Sequence, residues 1–265
     1  MIFTDIFSDY SAIVVFFLAF SAFSAGFIDS VAGGGGLIQV PALLINLPNT
    51  PLATLFGTNK IASLSGTSVA AYRYSKRIKF NYKLLLLMSL CAGIASYSGA
   101  KVVSLINVAT LKPIIFVLLI LIAIYTFFND NLGLAKTKSL VHHKQIFYGI
   151  LIGLGFGFYD GFFGPGAGSF LVLGFVVVFG FEFIEASAYS KVINCMTNIS
   201  ALLVFIRQGN YIIDLAILMA ICNILGNYFG TKLALQKGNR FIRIFFLLVV
   251  IILIFRFGYD IFVKQ

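Results

Sequence analysis

Charge is what this chain has least of. Only 11% of its 265 residues are charged, and acids are the rarer sign, nine Asp plus Glu against 19 Lys plus Arg. Soluble domains carry roughly a quarter charged residues. Together with 60% hydrophobic residues and a mean hydropathy of +1.01, this excludes an ordinary soluble domain and places the chain in lipid. Cysteine is also scarce. Cys91, Cys195 and Cys222 sit inside apolar segments without metal-type spacing, which argues against a disulfide framework or a zinc site and reads them as small core residues. The opening "MIFTDIFSDY" has Asp5 and Asp9 but no Lys or Arg. It lacks the basic start of a secretory signal peptide, so the first apolar segment is expected to be retained.

What is abundant is long apolar sequence. "SAIVVFFLAFSAFSAGFI", "KLLLLMSLCAGIASYSGA", "PIIFVLLILIAIYTFF" and "FFLLVVIILIFRFG" approach or reach the roughly 18 to 20 residues that cross a bilayer as a helix. The cations fall in short clusters between such runs, "RYSKRIKFNYK", "KTKSLVHHK" and "QKGNRFIR". That pattern marks cytoplasmic loops and not a nucleic-acid surface.

The sequence is also written twice. Adding 131 to a residue number takes Gly26, Phe27 and Asp29 to Gly157, Phe158 and Asp160, Gly33 and Gly35 to Gly164 and Gly166, and Lys60 to Lys191. The same offset takes Cys91, Tyr97, Gly99 and Lys101 to Cys222, Tyr228, Gly230 and Lys232, so the register holds through most of each half. The expected fold is an all-α integral membrane protein of about ten transmembrane segments, two of them short or broken, arranged as two inverted-topology repeats of five. The first repeat covers 11–128, a cytoplasmic linker 129–141, and the second repeat 142–262. With ten spans and both termini outside, eleven cations fall in cytoplasmic loops and three outside. Eight spans would strand Lys237, Arg240 and Arg243 on the outer face, against the positive-inside tendency.

Each half interrupts an apolar run with glycine: "GFIDSVAGGGG" from Gly26 and "GFYDGFFGPGAG" from Gly157. Repeats that each carry a short, glycine-broken segment point to a midplane binding site in a secondary transporter. Glycine tolerates unwound backbone, and Pro165 removes an N–H, so helix ends are expected within the membrane at Gly33, Gly34, Gly35 and Gly36 and again at Gly164, Gly166, Gly168 and Ser169. The freed N–H groups and the positive ends of the following helices suit an anion. Lys60 and Lys191 fall near mid-membrane, where a charge costs about 2.5 to 3.5 kcal/mol unless paired or set in a wet cavity. They are the expected anion contacts, with Thr58, Asn59, Ser190, Asn194 and Asn198 as neutral donors around them. Asp29 and Asp160 beside the breaks are candidates for proton coupling or for ion pairs with the lysines. Close helix packing by the glycines and purely structural Asp–Lys bridges are the plainer alternatives. No cofactor or metal is expected. The expected partners are a small anion, protons, membrane lipid and no nucleic acid.

"AGFIDSVAGGGGLIQVPALL" followed by "GTNK", and "GFYDGFFGPGAGSFL" followed by "SKVINCMTN", resemble the TauE/SafE family of sulfite and organosulfonate exporters, over nearly the whole chain. The resemblance implies a bacterial-type inner-membrane carrier for sulfite, thiosulfate, sulfoacetate or related sulfonates, driven by the proton gradient. Sulfur enters only through it; the anion follows from the residues. A passive anion channel could use the same basic, backbone-lined site. The glycine clusters lack the Gly-Lys-Ser/Thr ending of a phosphate loop, and "GAGS" stands where an intramembrane aspartyl protease needs "GxGD". An enzyme is not expected.

Overall fold

The computed structural model describes residues 10–103, 120, 133–137 and 140–262. Among these residues the regular structure is entirely helical. The elements are α1 (Ala12–Ala32), α2 (Gly36–Asn46), α3 (Leu52–Ser75), α4 (Tyr82–Val102), α5 (His142–Phe162), α6 (Ala167–Gly174), a π-helical turn (Phe175–Phe179), α7 (Phe183–Arg207) and α8 (Ile213–Phe262). Gly238, at φ 79° and ψ −172°, breaks α8 into two arms. Local chemistry sets several boundaries. Ser11 Oγ accepts the Val14 N–H at the start of α1, and Asn81 Oδ1 accepts the Leu84 N–H at the start of α4, each satisfying a donor that a helix N-terminus leaves free.

Among the described residues four helices are long and apolar enough to cross a membrane: Ala12–Ala32, Tyr82–Val102, Phe183–Arg207 and Ile213–Val249. Gly36–Asn46 and Ala167–Phe179 are shorter apolar helices and occupy the two positions expected to be short. The more polar α3 and α5 have spanning length as well, at 24 and 21 residues. The expected segment at 111–128, apart from residue 120, lies outside the described residues, as do residues 129–132 and 138–139 of the linker.

Contacts between helices repeat at the same interval as the sequence. Gly26 of α1 lies against Asn223 of α8, and Gly157 of α5 against Ala92 of α4; Phe27 meets Gly230, and Phe158 meets Gly99. Each member of one pair is 131 residues from its counterpart in the other. Small residues let these backbones approach closely, as membrane helices do when no hydrophobic force distinguishes side chain from lipid. At the centre α3 and α7 run antiparallel: Gly57 lies beside Phe205 and Asn210, whereas Ser68 lies beside Cys195.

The two ends of the molecule differ in charge. At one end Leu47, Leu55, Leu215 and Met219 share an apolar cluster with Val15 and Leu18, so α2 runs back towards the start of α1. The Thr58 hydroxyl accepts the Ile212 N–H at this end. At the other end the Asn81 N–H donates to Tyr189 Oη and the Ile184 N–H to Asn239 Oδ1. That gathers the C-terminus of α3, the N-termini of α4 and α7 and the Gly238 break. Lys76, Arg77, Lys79, Lys83, Lys237 and Arg240 all lie on or beside those elements, while Arg207 is at the first end.

Candidate functional site

Both helix breaks sit inside the fold, back to back. Gly33 and Gly34 at φ 78° and 84°, and Gly164 and Gly166 at φ 86° and 88°, hold the left-handed conformation that only glycine takes without strain. A Cβ on Gly33 would press into Gly168 and the Ser169 nitrogen, so backbone meets backbone with no side chain between. Ser169 Oγ donates to the Ala32 carbonyl, and Ser190 Oγ to the Gly168 carbonyl. Around the breaks the Gly33 N–H donates to Asp29 O and the Gly164 N–H to Tyr159 O. The N–H groups of Gly34, Gly35, Gly36, Gly166 and Gly168 have no acceptor among the described residues. Helix starts leave such donors free, and they form a ready anion receptor.

Four buried charges close around this point. Lys60 Nζ lies 2.9 Å from Asp160 Oδ1, and Lys191 Nζ lies 2.9 Å from Asp29 Oδ2. Each lysine therefore bonds the carboxylate of the other half. Lys191 also donates to the Asp29 carbonyl. Asp29 accepts from Thr67 Oγ1 at 3.2 Å; Asp160 accepts from Asn194 Nδ2 at 3.2 Å and from Thr197 Oγ1. An ion pair taken out of water is tolerable only when its remaining hydrogen-bonding capacity is met. Asp160 meets this condition with three side-chain donors. Lys60 does not, since one of its three N–H groups reaches Asp160 and no other acceptor is present among the described residues.

A small polar cavity lies where these elements meet, walled by Gly34, Gly36, Asn59, Lys60, Gly166 and Asn194, with Asp29, Gly35, Asp160, Gly164, Gly168, Ser63 and Asn198 completing it. Its volume is about 20 Å³, space for roughly one water molecule. Lys191 is fully buried behind Asp29 and does not reach it, whereas its counterpart Lys60 does. Asn59 Oδ1 is buried there without a partner among the described residues.

The structure thus gathers most of the residues singled out in the sequence and separates a few. Gly33, Ser169 and Ser190 support the breaks from behind. Thr58 points elsewhere, donating to the Thr54 carbonyl and accepting from Ile212. Thr67, Thr197 and Ser63 were not singled out, although a signal for two of them was present: Lys60, Ser63 and Thr67 recur at i, i+3 and i+7 on one face of α3, and Lys191, Asn194 and Asn198 do so on α7.

Comparison with known proteins places this geometry in a family. The model of the family described as "Sulfite exporter TauE/SafE" matches residues 18–257. A probable membrane transporter protein, ORF9, of Sinorhizobium sp. is 40% identical over 241 residues, 91% of this chain and 90% of that protein. The probable membrane transporter protein YfcA of Escherichia coli K12 is 36% identical over 92% of this chain and 89% of its own length. A probable membrane transporter protein of Haemophilus influenzae is 34% identical over 83% and 85%. No solved structure matches. With its apolar helices and its break-centred polar core, the chain belongs to the TauE/SafE family of multi-pass membrane proteins.

Proposed function

We propose that this protein is a secondary transporter that moves small sulfur-containing anions, such as sulfite, thiosulfate or sulfoacetate, across the inner membrane by alternating access coupled to protons. The observation that carries this reading is the pair of crossed Asp–Lys bridges around a cavity lined by unpaired glycine N–H groups. Sulfur as the substrate element rests on the family. The positive ends of α2 and α6, the spare donors of Lys60 and the absence of bulk at the breaks favour an oxyanion.

Charge balance supplies the coupling. The four charged groups sum to zero, and an anion entering this low-dielectric core would leave it net negative. Lys60 turns from Asp160 to the anion, and the released carboxylate takes up a proton, which restores neutrality. Lys191 and Asp29 offer the same exchange for a second negative charge.

The repeat supports alternating access. Antiparallel packing of the repeat-related α3 and α7 supports halves of opposite orientation, and the basic end of the molecule is then cytoplasmic, with both termini outside. The two lysines occupy unequal environments, Lys60 at the cavity and Lys191 sealed, as expected when one half is shut and the other is nearer to opening. The cavity is too small for a sulfite ion, so the present arrangement is a closed one. A closed, ion-paired centre favours a carrier over the channel reading, which needs a continuous pore.

The test is flux of radiolabelled sulfite, thiosulfate and sulfoacetate into proteoliposomes, with and without an imposed proton gradient. Gradient-driven accumulation is the expected result. Flux that only equilibrates, where a known coupled carrier concentrates its own substrate, overturns coupled transport; no flux of any of the three overturns the substrate class.

A further inference from the structure

The end of α3 and the middle of α8 enclose a groove of about 560 Å³ that the transport reading does not use. Its walls include Tyr72, Arg73, Lys76, Arg77, Tyr228 and Lys232. Arg73 stacks its guanidinium on the Tyr228 ring at 4.1 Å, and Lys76 sits 4.3 Å over Tyr72. No Asp or Glu lines the groove, and none of its four cations has a carboxylate partner among the described residues. Arg73 Nε is buried with no hydrogen-bond acceptor among the described residues. A guanidinium seated over an aromatic ring, with a donor unspent and three further cations beside it, is arranged for a multivalent oxyanion.

The surroundings identify the anion's carrier. Tyr228 stands at 44% exposure, and one and two turns before it on α8 Leu225 and Ile221 are exposed at 47% and 46%. They form an apolar stripe running from the groove along the outside of the bundle, the surface that faces lipid. A soluble anion has no use for that stripe; an acyl chain does. We infer that this groove binds the phosphate headgroup of an anionic phospholipid, with one acyl chain lying along Leu225 and Ile221.

Sequence repetition provides an internal control. The offset of 131 carries Tyr228 and Lys232 to Tyr97 and Lys101, and Lys76 to Arg207, but it carries Arg73 to Val204 and Arg77 to Gln208. The counterpart positions keep one of the two tyrosines and two cations but lack the stacked guanidinium: Lys101 Nζ sits 4.6 Å over the Tyr97 ring, and Arg207 Nη1 lies 3.4 Å from Tyr97 Oη. Four cations are concentrated at the basic end alone. Anionic lipid and its negative surface potential belong to the cytoplasmic leaflet, so the asymmetry has a physical cause if that end faces the cytoplasm.

The experiment uses the purified full chain in detergent, titrated with phosphatidylglycerol, phosphatidylcholine or soluble glycerol phosphate. Thermal stability and the lipids retained in native mass spectrometry are read together. Phosphatidylglycerol is expected to raise the melting temperature and phosphatidylcholine is not. R73Q/K232Q is expected to need ~30-fold more phosphatidylglycerol for the same effect, at about fivefold per cation near a membrane surface. K101Q/R207Q, at the repeat-related positions, should titrate like the parent. If R73Q/K232Q does not fold, K232Q alone carries the test, because Lys232 is exposed, with a ~5-fold shift expected. An unchanged titration of the variant overturns the proposal. So does equal stabilisation by glycerol phosphate, which would make this a site for a soluble anion.

Discussion

Lys60 and Asp160 lie 100 positions apart in sequence, and their charged groups meet at 2.9 Å in the buried centre. The repeat-related Lys191 and Asp29 close at the same distance. Neither half satisfies its own charges. The first prediction separates the structural role of these bridges from their role in transport. D160N should destabilise the protein by ~3 to 5 kcal/mol, because it leaves Lys60 buried and unpaired. K60M/D160L should recover most of that loss in a thermal melt and still carry no flux. Parental flux by the double variant would reduce the bridge to a register pin.

Glycine at the break is a matter of space as well as of φ. Gly33→Ala combines a left-handed backbone, unfavourable by roughly 1 to 2 kcal/mol for an L-residue, with a Cβ pressed into Gly168 and Ser169. We expect this variant to be poorly folded or inactive. Gly155→Ala meets no atom of the described residues within 4 Å and should insert and transport like the parent; fluorescence-detected size exclusion distinguishes the two.

Thr58 and Asn194 are both buried polar residues near a central lysine, but they face different neighbours. Thr58→Ala removes bonds to Thr54 and Ile212, so it should cost about 1 kcal/mol of stability and leave the apparent KM for the anion unchanged. Asn194→Ala removes a donor from Asp160 at the cavity wall and should raise the KM or depress the flux at similar stability.

Single cysteines report the orientation of the two ends. Positions 49 and 210 lie at one end and positions 79 and 237 at the other, so an impermeant maleimide applied to intact cells should label the first pair alone. Labelling of position 79 together with position 49 would contradict the ten-span inverted reading.

The short helices, the glycine breaks and the buried lysines were legible because they violate the rule of an apolar membrane segment, and a violation repeated at a fixed interval stands out. Crossed pairing was not legible. Asp29 is near Gly33 in sequence, but which lysine it meets depends on how the two halves interlock, and no local pattern records that. Thr58 shows the opposite failure. It lies two positions from Lys60, a separation of about 200° around a helix, so proximity along the chain put it on the wrong face. Thr67, seven positions on, shares the face of Lys60, but a hydroxyl residue in a membrane helix carries no mark of its own.

Crossed charges also impose an order on biogenesis. Chains leave the ribosome N-terminus first at roughly 5 to 20 residues per second, and Asp29 precedes Lys191 by 162 residues. For roughly 8 to 30 seconds, then, the Asp29 carboxylate has no partner, and Lys60 waits about 5 to 20 seconds for Asp160, 100 positions on. During that interval the insertion machinery or a neighbouring water pocket must shelter them. The first half is a guest in the membrane until the second arrives, and a ribosome stalled between the repeats would leave a fragment that quality-control proteases can recognise by its unmatched charge.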